Sequence, residues 1–252
     1  MILAAGRGAR MRPLTDTCPK PLLEVHGRPL MEWPMQALFD QGFKRLTVNT
    51  AWLGDQIENR FADWPAMHPG AHLNFSNEGR DFGGALETAG GIARALPLLG
   101  EVFWVLAGDV FAPDFVFDTE AVRRFENSQQ LAHLWLVPNP AHNPQGDFGL
   151  STTGLVLNNS DLRLTYSTIG LYRRALFETP WLDLPSGNPL GVSAALAPLL
   201  RSAIAAGRVS GSVYTGAWTD VGTPDRLADL NRDCSLGHGA GANGFRGQFR
   251  PD

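Results

Sequence analysis

Residues 1–15 read Met-Ile-Leu-Ala-Ala-Gly-Arg-Gly-Ala-Arg-Met-Arg-Pro-Leu-Thr, and this stretch decides the fold. The apolar run Met1–Ala5 predicts a buried strand, because strands of parallel sheets are covered on both faces. Gly6 and Gly8 then open a loop whose backbone can approach a ligand closely. In open α/β sheets, ligands bind where such loops leave the carboxyl ends of the strands. The sequence therefore predicts a ligand site at the first turn of the chain.

The remainder of the first half alternates between strand-like and helix-like patterns. Apolar runs predict four further strands, at Leu46–Thr50, His72–Phe75, Val102–Ala107 and His133–Val137. Helical spacing predicts a helix at Leu30–Phe39, in which Pro34 must lie in the first turn or kink the helix. It predicts two more helices, along the stripe Leu53, Ile57 and Phe61 and over Leu86–Leu99. Such alternation favours parallel βαβ units and a sheet covered by helices on both faces.

After about Asn139 the sequence becomes turn-rich. Strands are predicted at Gly149–Leu157 and Arg163–Tyr172, joined by a hairpin turn over residues 158–161. Two helices follow, Ala194–Ala206 closed by Gly207, and one opened by Thr223 as N-cap with Pro224 as its first residue. The Gly-rich residues 234–252 lack periodicity and are predicted to be a poorly ordered tail.

Composition limits the class of protein. The chain has 252 residues, a mass of 27.3 kDa, a net charge of -4 and a pI of about 5.9, which disfavours nucleic acid and anionic membranes as partners. No apolar run approaches the roughly 18 residues that span a bilayer. Cys18 and Cys234 suggest neither a disulfide framework nor a metal knuckle. These features predict a cytoplasmic protein of enzyme size.

The first loop is locally basic, although the chain is acidic. Residues 1–23 hold Arg7, Arg10, Arg12 and Lys20 against the single acid Asp16, which suits a polyanionic ligand such as a triphosphate. Position 11 is Met, so the loop is not a G-x-G-x-x-G dinucleotide fingerprint, and the chain contains no P-loop motif.

Two aspartates follow predicted strands and are candidate metal ligands. Asp109 ends the strand Val102–Ala107 through a Gly-Asp step, and Asp220 lies in Trp218-Thr219-Asp220-Val221-Gly222-Thr223. Magnesium prefers hard oxygen ligands and often takes one or two carboxylates plus phosphate oxygens. Spacing alone leaves open whether the two meet. The six histidines form no pair at ligand spacing with Cys or Glu and are predicted to have surface or packing roles.

The string from Leu3 to Thr15, followed by Pro19-Lys20-Pro21-Leu22, resembles the signature of the sugar-1-phosphate nucleotidyltransferases. The Gly-Asp at residues 108–109 and the Trp-x-Asp-x-Gly-Thr at residues 218–223 are similar to two further hallmarks of that family. The resemblance implies a Rossmann-like α/β fold with a mixed, mainly parallel sheet flanked by helices. It also implies one domain over residues 1–233, with a nucleotide-binding part at 1–138 and a sugar-binding part at 139–233.

The resemblance also implies roles for particular residues. Arg10 and Lys20 would be catalytic, holding the phosphates of a nucleoside triphosphate, and Asp109 and Asp220 would jointly bind Mg²⁺. The nucleotide would be bound by Leu3, Ala4, Ala5, Gly6, Arg7, Gly8, Ala9, Arg10, Lys20, Glu78, Ala85 and Thr88. The sugar 1-phosphate would be bound by Gly108, Asp147 and Ser167. Trp52 and Trp104 are predicted to pack rather than to stack on the base.

Several strings, among them Asn49-Thr50-Ala51-Trp52-Leu53-Gly54 and Leu86-Glu87-Thr88-Ala89-Gly90-Gly91, resemble the branch that joins UTP to N-acetylmuramate α-1-phosphate in cell-wall recycling. Ala107 and Ala195 depart from that branch, which commonly has Asn and Lys there. The alternatives are a thymidylyl- or guanylyltransferase for another hexose 1-phosphate, and a non-catalytic regulator that binds nucleotide sugars. The oligomeric state is not predicted.

Overall fold

A computed structural model describes residues 1–232, so the predicted tail lies outside the described residues. The strands are β1 Ile2–Ala4, β2 Glu24–Val25, β3 Arg28–Pro29, β4 Arg45–Thr50, β5 His72–Asn77, β6 Val102–Ala107, β7 Val110–Phe111, β8 Ala132–Val137, β9 Gly149–Leu150, β10 Val156–Leu157, β11 Thr165–Arg173, β12 Val209–Val213 and β13 Thr219–Asp220. The α-helices are α1 Glu32–Asp40, α2 Gly54–Arg60, α3 Trp64–Met67, α4 Glu78–Phe82, α5 Glu87–Ala95, α6 Thr119–Glu126, α7 Leu196–Ala205 and α8 Pro224–Arg232. No helix in this part of the chain is long and apolar enough to cross a bilayer.

The central sheet has seven strands in the order β12-β8-β11-β6-β1-β4-β5. Strand β11 runs antiparallel to both of its neighbours, and the other neighbouring pairs are parallel. This confirms the predicted mixed, mainly parallel sheet. Strands β11 and β12 come from the predicted sugar-binding part, so both parts of the chain build one sheet.

Helices cover both faces of the sheet, as the alternating pattern predicts. On β6, Phe103 and Val105 face a core that also contains Ile92 of α5 and Leu200 of α7. The intervening residue Trp104 faces the opposite core, which contains side chains of α1, α2 and α6. Because successive strand residues point to opposite faces, one apolar run on β6 fills both cores.

The predicted hairpin at residues 158–161 is wrong. The predicted strand Gly149–Leu157 breaks into β9 and β10, which pair with each other across a turn that Gly154 closes at φ +80°. Strand β11 pairs instead with β6 and β8. Pairing with the buried central strands covers both faces of β11, which a surface hairpin could not do.

Both C-terminal helix boundaries follow the predicted capping residues. Helix α7 ends before Gly207, whose φ of +67° suits glycine, and the Arg226 amide at the start of α8 donates to the Thr223 hydroxyl at 3.4 Å. Helix α8 follows β13 directly, and β13 pairs with β7, so that Asp220 lies opposite Val110.

Candidate active site

A cavity of about 490 Å³ lies beside the carboxyl ends of β1 and β6. It brings together most of the residues that the sequence assigned to the nucleotide and the metal. Those in its wall are Leu3, Ala4, Ala5, Gly6, Gly8, Ala9, Arg10, Lys20, Glu78, Ala85, Thr88 and Asp109. A cleft therefore lies at the first turn of the chain, where the sequence predicts a ligand site.

The two arginines of the first loop have different environments. Arg10 lines the cavity, is exposed, and makes no ion pair or side-chain hydrogen bond within residues 1–232. Arg7 points elsewhere: its guanidinium lies 3.5 Å from the ring centroid of Trp52 and donates to the Thr15 carbonyl at 2.8 Å and to Asp16 at 3.0 Å. Arg7 thus braces the loop, and the assignment of its side chain to the nucleotide is corrected.

Gly8 gives the loop its shape. Its φ of +64° is left-handed, and a β-carbon there would lie 3.0 Å from a methyl carbon of Thr15. The Thr15 hydroxyl donates to the Gly8 carbonyl at 2.8 Å, which closes the loop upon itself. Only glycine meets both requirements without strain.

Lys20 and Asp109 form an ion pair at the cavity wall. The Lys20 side chain is 11% exposed and the Asp109 side chain is 33% exposed. Gly108 brings Asp109 into place, because its amide donates to the Leu3 carbonyl at 2.8 Å and a β-carbon would lie 3.0 Å from that oxygen. Gly108 itself does not line the cavity, so its part is close packing of β6 against β1 rather than contact with a ligand.

Glu78 is fully buried in the same wall. Its two carboxylate oxygens accept from the Asn49 side chain at 2.7 Å and from the Leu86 amide at 2.7 Å. The Asn49 oxygen accepts from the Ala4 amide at 2.9 Å, so the carboxylate connects β1 to the start of α5. Burial raises the pKa of Glu78, and the two hydrogen bonds oppose that shift. Glu78 therefore fixes this part of the cavity wall.

A second cavity of about 510 Å³ adjoins the first. The residues common to both walls are Glu87, Thr88, Tyr166, Thr168 and Leu196. Asp147, assigned to the substrate from sequence, lies in the second wall and accepts from the Tyr166 amide at 2.8 Å and from Asn143 at 3.2 Å. The two cavities form one cleft with two lobes, which we call the phosphate lobe (the first) and the acceptor lobe (the second).

Thr168 faces this cleft, whereas its neighbour Ser167 does not. The Ser167 hydroxyl is buried and donates to the Trp135 carbonyl at 2.7 Å, which corrects its assignment to the substrate. A register shift of β11 against β8 between Tyr166 and Gly170 turns Thr168 into the junction of the lobes. Thr168 has φ +63° and a buried hydroxyl with no hydrogen-bond partner in residues 1–232. A β-branched residue in this conformation is strained, and such strain is concentrated at functional sites.

Glu87 is a second strained residue at the junction. It is exposed, has φ +56°, and lines both lobes from the first position of α5. Sequence reasoning could identify neither Thr168 nor Glu87, because neither residue type indicates a positive φ.

The backbone brings the two candidate metal ligands together. Strands β7 and β13 pair so that Asp220 lies opposite Val110, and the Val221 amide donates to the Asp109 carbonyl at 2.9 Å. The Asp220 side chain pairs with Arg226, and its Oδ1 lies 2.8 Å from Nε2 of His142. The interpretation of the histidines as surface or packing residues is therefore incomplete, because His142 contacts a candidate ligand.

The geometry is that of an α/β protein with a cleft at the carboxyl edge of its sheet. Comparison with known protein families narrows the class of protein further. Residues 1–163 match the family model described as nucleotidyl transferase, so the chain belongs to the nucleotidyl transferase family. These enzymes act on a nucleoside triphosphate and a sugar 1-phosphate.

Relatives and a solved structure agree with this membership. The chain is 46% identical over 237 residues to an N-acetylmuramate α-1-phosphate uridylyltransferase of Neisseria meningitidis, covering 91% of this chain and 95% of that protein. It is 28% identical to the enzyme of the same name from Caulobacter vibrioides, covering 89% and 91%. A Bacillus anthracis protein assigned as a glucose-1-phosphate thymidylyltransferase and solved with sucrose has a TM-score of 0.74 at 18% identity, covering 92% of each chain. That likeness confirms the Rossmann-like fold.

Proposed function

We propose that this protein transfers a uridylyl group from UTP to N-acetylmuramate α-1-phosphate and releases pyrophosphate, in a Mg²⁺-dependent reaction of cytoplasmic peptidoglycan recycling. The observation that carries the reaction type is the phosphate lobe, where Arg10 of the glycine-rich first loop lines one cavity together with Lys20 and Asp109. The specificity for UTP and N-acetylmuramate rests on the 46% identity to the meningococcal enzyme, which extends over nearly the whole of both chains.

The reaction needs charge placement more than proton transfer. An oxygen of the sugar phosphate attacks the α-phosphorus, a new P–O bond forms there, and the bond to the β-phosphate oxygen breaks as pyrophosphate leaves in line. The acceptor phosphate is ionised at neutral pH, so no general base is required. Arg10, which has no carboxylate partner within residues 1–232, can hold the β- and γ-phosphates, and Lys20 can stabilise the charge that develops at the α-phosphate.

Asp109 and Asp220 are the carboxylates that we propose to hold one magnesium ion, because magnesium prefers hard oxygen ligands. Oδ2 of Asp109 is held by Lys20, and Oδ1 of Asp220 is held by Arg226 and His142. The other oxygen of each carboxylate accepts no hydrogen bond from residues 1–232 and is open to a cation. No cluster of three or more His, Cys, Asp or Glu suited to a metal occurs in that range, so phosphate oxygens and water would complete the shell. When bound, the ion supplies positive charge to the reacting phosphates.

A panel of donors and acceptors tests the assignment directly. Pyrophosphate release is measured with UTP, dTTP and GTP against the α-1-phosphates of N-acetylmuramate, N-acetylglucosamine and glucose. We expect UTP with N-acetylmuramate α-1-phosphate to give the highest kcat/KM. Equal or better turnover with dTTP and glucose 1-phosphate would instead support the thymidylyltransferase alternative. Tight nucleotide-sugar binding without any pyrophosphate release would support the non-catalytic regulator.

Substitution of Thr168 tests the placement of the acceptor sugar, because it should raise the stability of the fold and weaken acceptor binding. Thr168→Gly removes the strain at φ +63° and should stabilise the fold by about 1 kcal/mol. If the unpartnered hydroxyl meets a sugar hydroxyl, its loss should raise the KM for the acceptor roughly 5- to 10-fold. Thermal unfolding and acceptor kinetics measure the two effects. Thr168→Ser keeps the hydroxyl and is the control; equal acceptor KM values in all three proteins would exclude the contact.

A further inference from the structure

Arg201 is the one basic residue in the described wall of the acceptor lobe. It lies on α7, and its guanidinium carbon is 5.2 Å from the ring centroid of Phe148. Phe148 is 4% exposed and belongs to the core, so the guanidinium rests on a fixed aromatic surface. Cation–π contact of this kind orients an arginine without neutralising its charge.

The charge of Arg201 is not compensated within residues 1–232. Its guanidinium makes no ion pair and no hydrogen bond there. The hydrogen bond that Arg201 does make is through its backbone carbonyl, which accepts from the Asn158 side chain at 2.8 Å. The acid Asp147 shares the lobe, but both of its oxygens already accept hydrogen bonds, from Asn143 and from the Tyr166 amide. The lobe therefore presents an available cation in its wall.

The cations of the cleft are divided between its two lobes. Arg10 and Lys20 line the phosphate lobe and not the acceptor lobe, and Arg201 lines the acceptor lobe and not the phosphate lobe. Glu87 and Thr168 lie at the junction and offer an acceptor and a hydroxyl, groups that pair with the neutral hydroxyls of a sugar ring. A ligand that matches this pattern is anionic at both ends and neutral in the middle.

We propose that Arg201 binds a carboxylate carried by the acceptor sugar and is thereby a specificity-determining residue. The proposal rests on the proposed function, because it takes the ligand of the cleft to be a sugar 1-phosphate. N-acetylmuramate carries a lactyl ether whose carboxylate is absent from N-acetylglucosamine and glucose. The planar guanidinium can donate two parallel hydrogen bonds to that carboxylate, a geometry that lysine does not reproduce.

The test compares acceptors that differ only by the lactyl group. Wild type, Arg201→Gln and Arg201→Lys are assayed with N-acetylmuramate and N-acetylglucosamine α-1-phosphates at saturating UTP. Arg201→Gln should lose about 10- to 100-fold in kcat/KM for N-acetylmuramate, the usual effect of deleting a hydrogen bond to a charged group, and stay within about 2-fold for N-acetylglucosamine. Arg201→Lys should fall between. Arg123→Gln, an exposed change of the same charge on α6, should match wild type.

The outcomes separate this proposal from the function on which it rests. A wild type that prefers N-acetylmuramate, combined with an Arg201→Gln variant that keeps the same preference, overturns the role of Arg201 and leaves the function standing. Equal losses with both acceptors indicate a structural role and also overturn the proposal. A wild type that makes no product with N-acetylmuramate α-1-phosphate overturns the proposed function and the proposal together. Unchanged KM for UTP and an unchanged melting temperature verify that each variant is folded.

Discussion

Lys20→Ala is expected to lower kcat by roughly 30- to 1,000-fold, equivalent to about 2–4 kcal/mol of transition-state stabilisation. The Lys20 ammonium lies in the wall of the phosphate lobe against Asp109. Negative charge shifts among the phosphates as the α-phosphorus is transferred, and a fixed cation there is most useful in the transition state. Steady-state pyrophosphate release measures the effect.

The fold is expected to lose some stability in this variant. From sequence alone we would predict an unchanged melting curve, but the Lys20 side chain is almost buried, and its removal leaves the Asp109 carboxylate without its partner. The loss should be modest because Asp109 is one-third exposed and water can solvate it. Lys44→Ala is the matched control, since Lys44 lies over the Phe39 ring on the outside of the sheet. Near wild-type turnover in Lys20→Ala would remove the residue from the mechanism.

The parts of the site that sequence predicts are those fixed by local chain geometry. Gly8, Lys20 and Asp109 follow or flank strands whose apolar runs are plain in the sequence, and strand ends gather at one edge of a parallel sheet. The positions of these residues follow from the order of the secondary-structure elements, so the sequence motif is sufficient to predict that they lie near one another.

The parts that sequence misses depend on contacts between distant segments. Arg7 and Arg10 are three residues apart in one basic loop, and only the positions of Trp52 and Asp16 decide that Arg7 turns away. Sequence reasoning assigned Ser167 to the substrate, whereas Thr168 is the residue that faces the cleft, and this error has a different cause. The pairing of β11 with β8 is irregular between Tyr166 and Gly170, and Thr168 lies inside this irregularity with φ +63°, so the regular alternation of side chains is interrupted there. Neither the irregular pairing of β11 nor the contact of Arg7 with Trp52 can be predicted from the local sequence.

Arg226 and His142 show the same limit at the metal site. Arg226 lies 6 residues after Asp220 and His142 lies 78 residues before it, yet the fold places both side chains on the Asp220 carboxylate. A capping residue at Thr223 predicts where α8 begins, but the direction of the Arg226 side chain follows from the packing of α8 against the first strands.

Substitution of the two aspartates is the second large effect that we expect. Asp109→Asn and Asp220→Asn should each lower kcat on the order of 100-fold and raise the Mg²⁺ concentration needed for half-maximal rate, because each removes one charged ligand of the same ion. Titrating the rate with MgCl₂ separates the two effects. Asp225→Asn, an exposed acid in the first turn of α8, is the control for a change of charge near the site.

The double variant decides whether one ion is shared. If Asp109 and Asp220 bind the same Mg²⁺, losing either ligand already forfeits most of the stabilisation that the ion provides, so the double variant should be little slower than the worse single variant. Two independent roles would instead multiply the losses to on the order of 10⁴-fold. Arg226→Gln distinguishes the metal role of Asp220 from its ion pair with Arg226, because this variant removes the cation and keeps the carboxylate. A Mg²⁺ requirement unchanged in Asp220→Asn would mean that Asp220 serves Arg226 and His142 alone, and that Asp109 binds the metal without it.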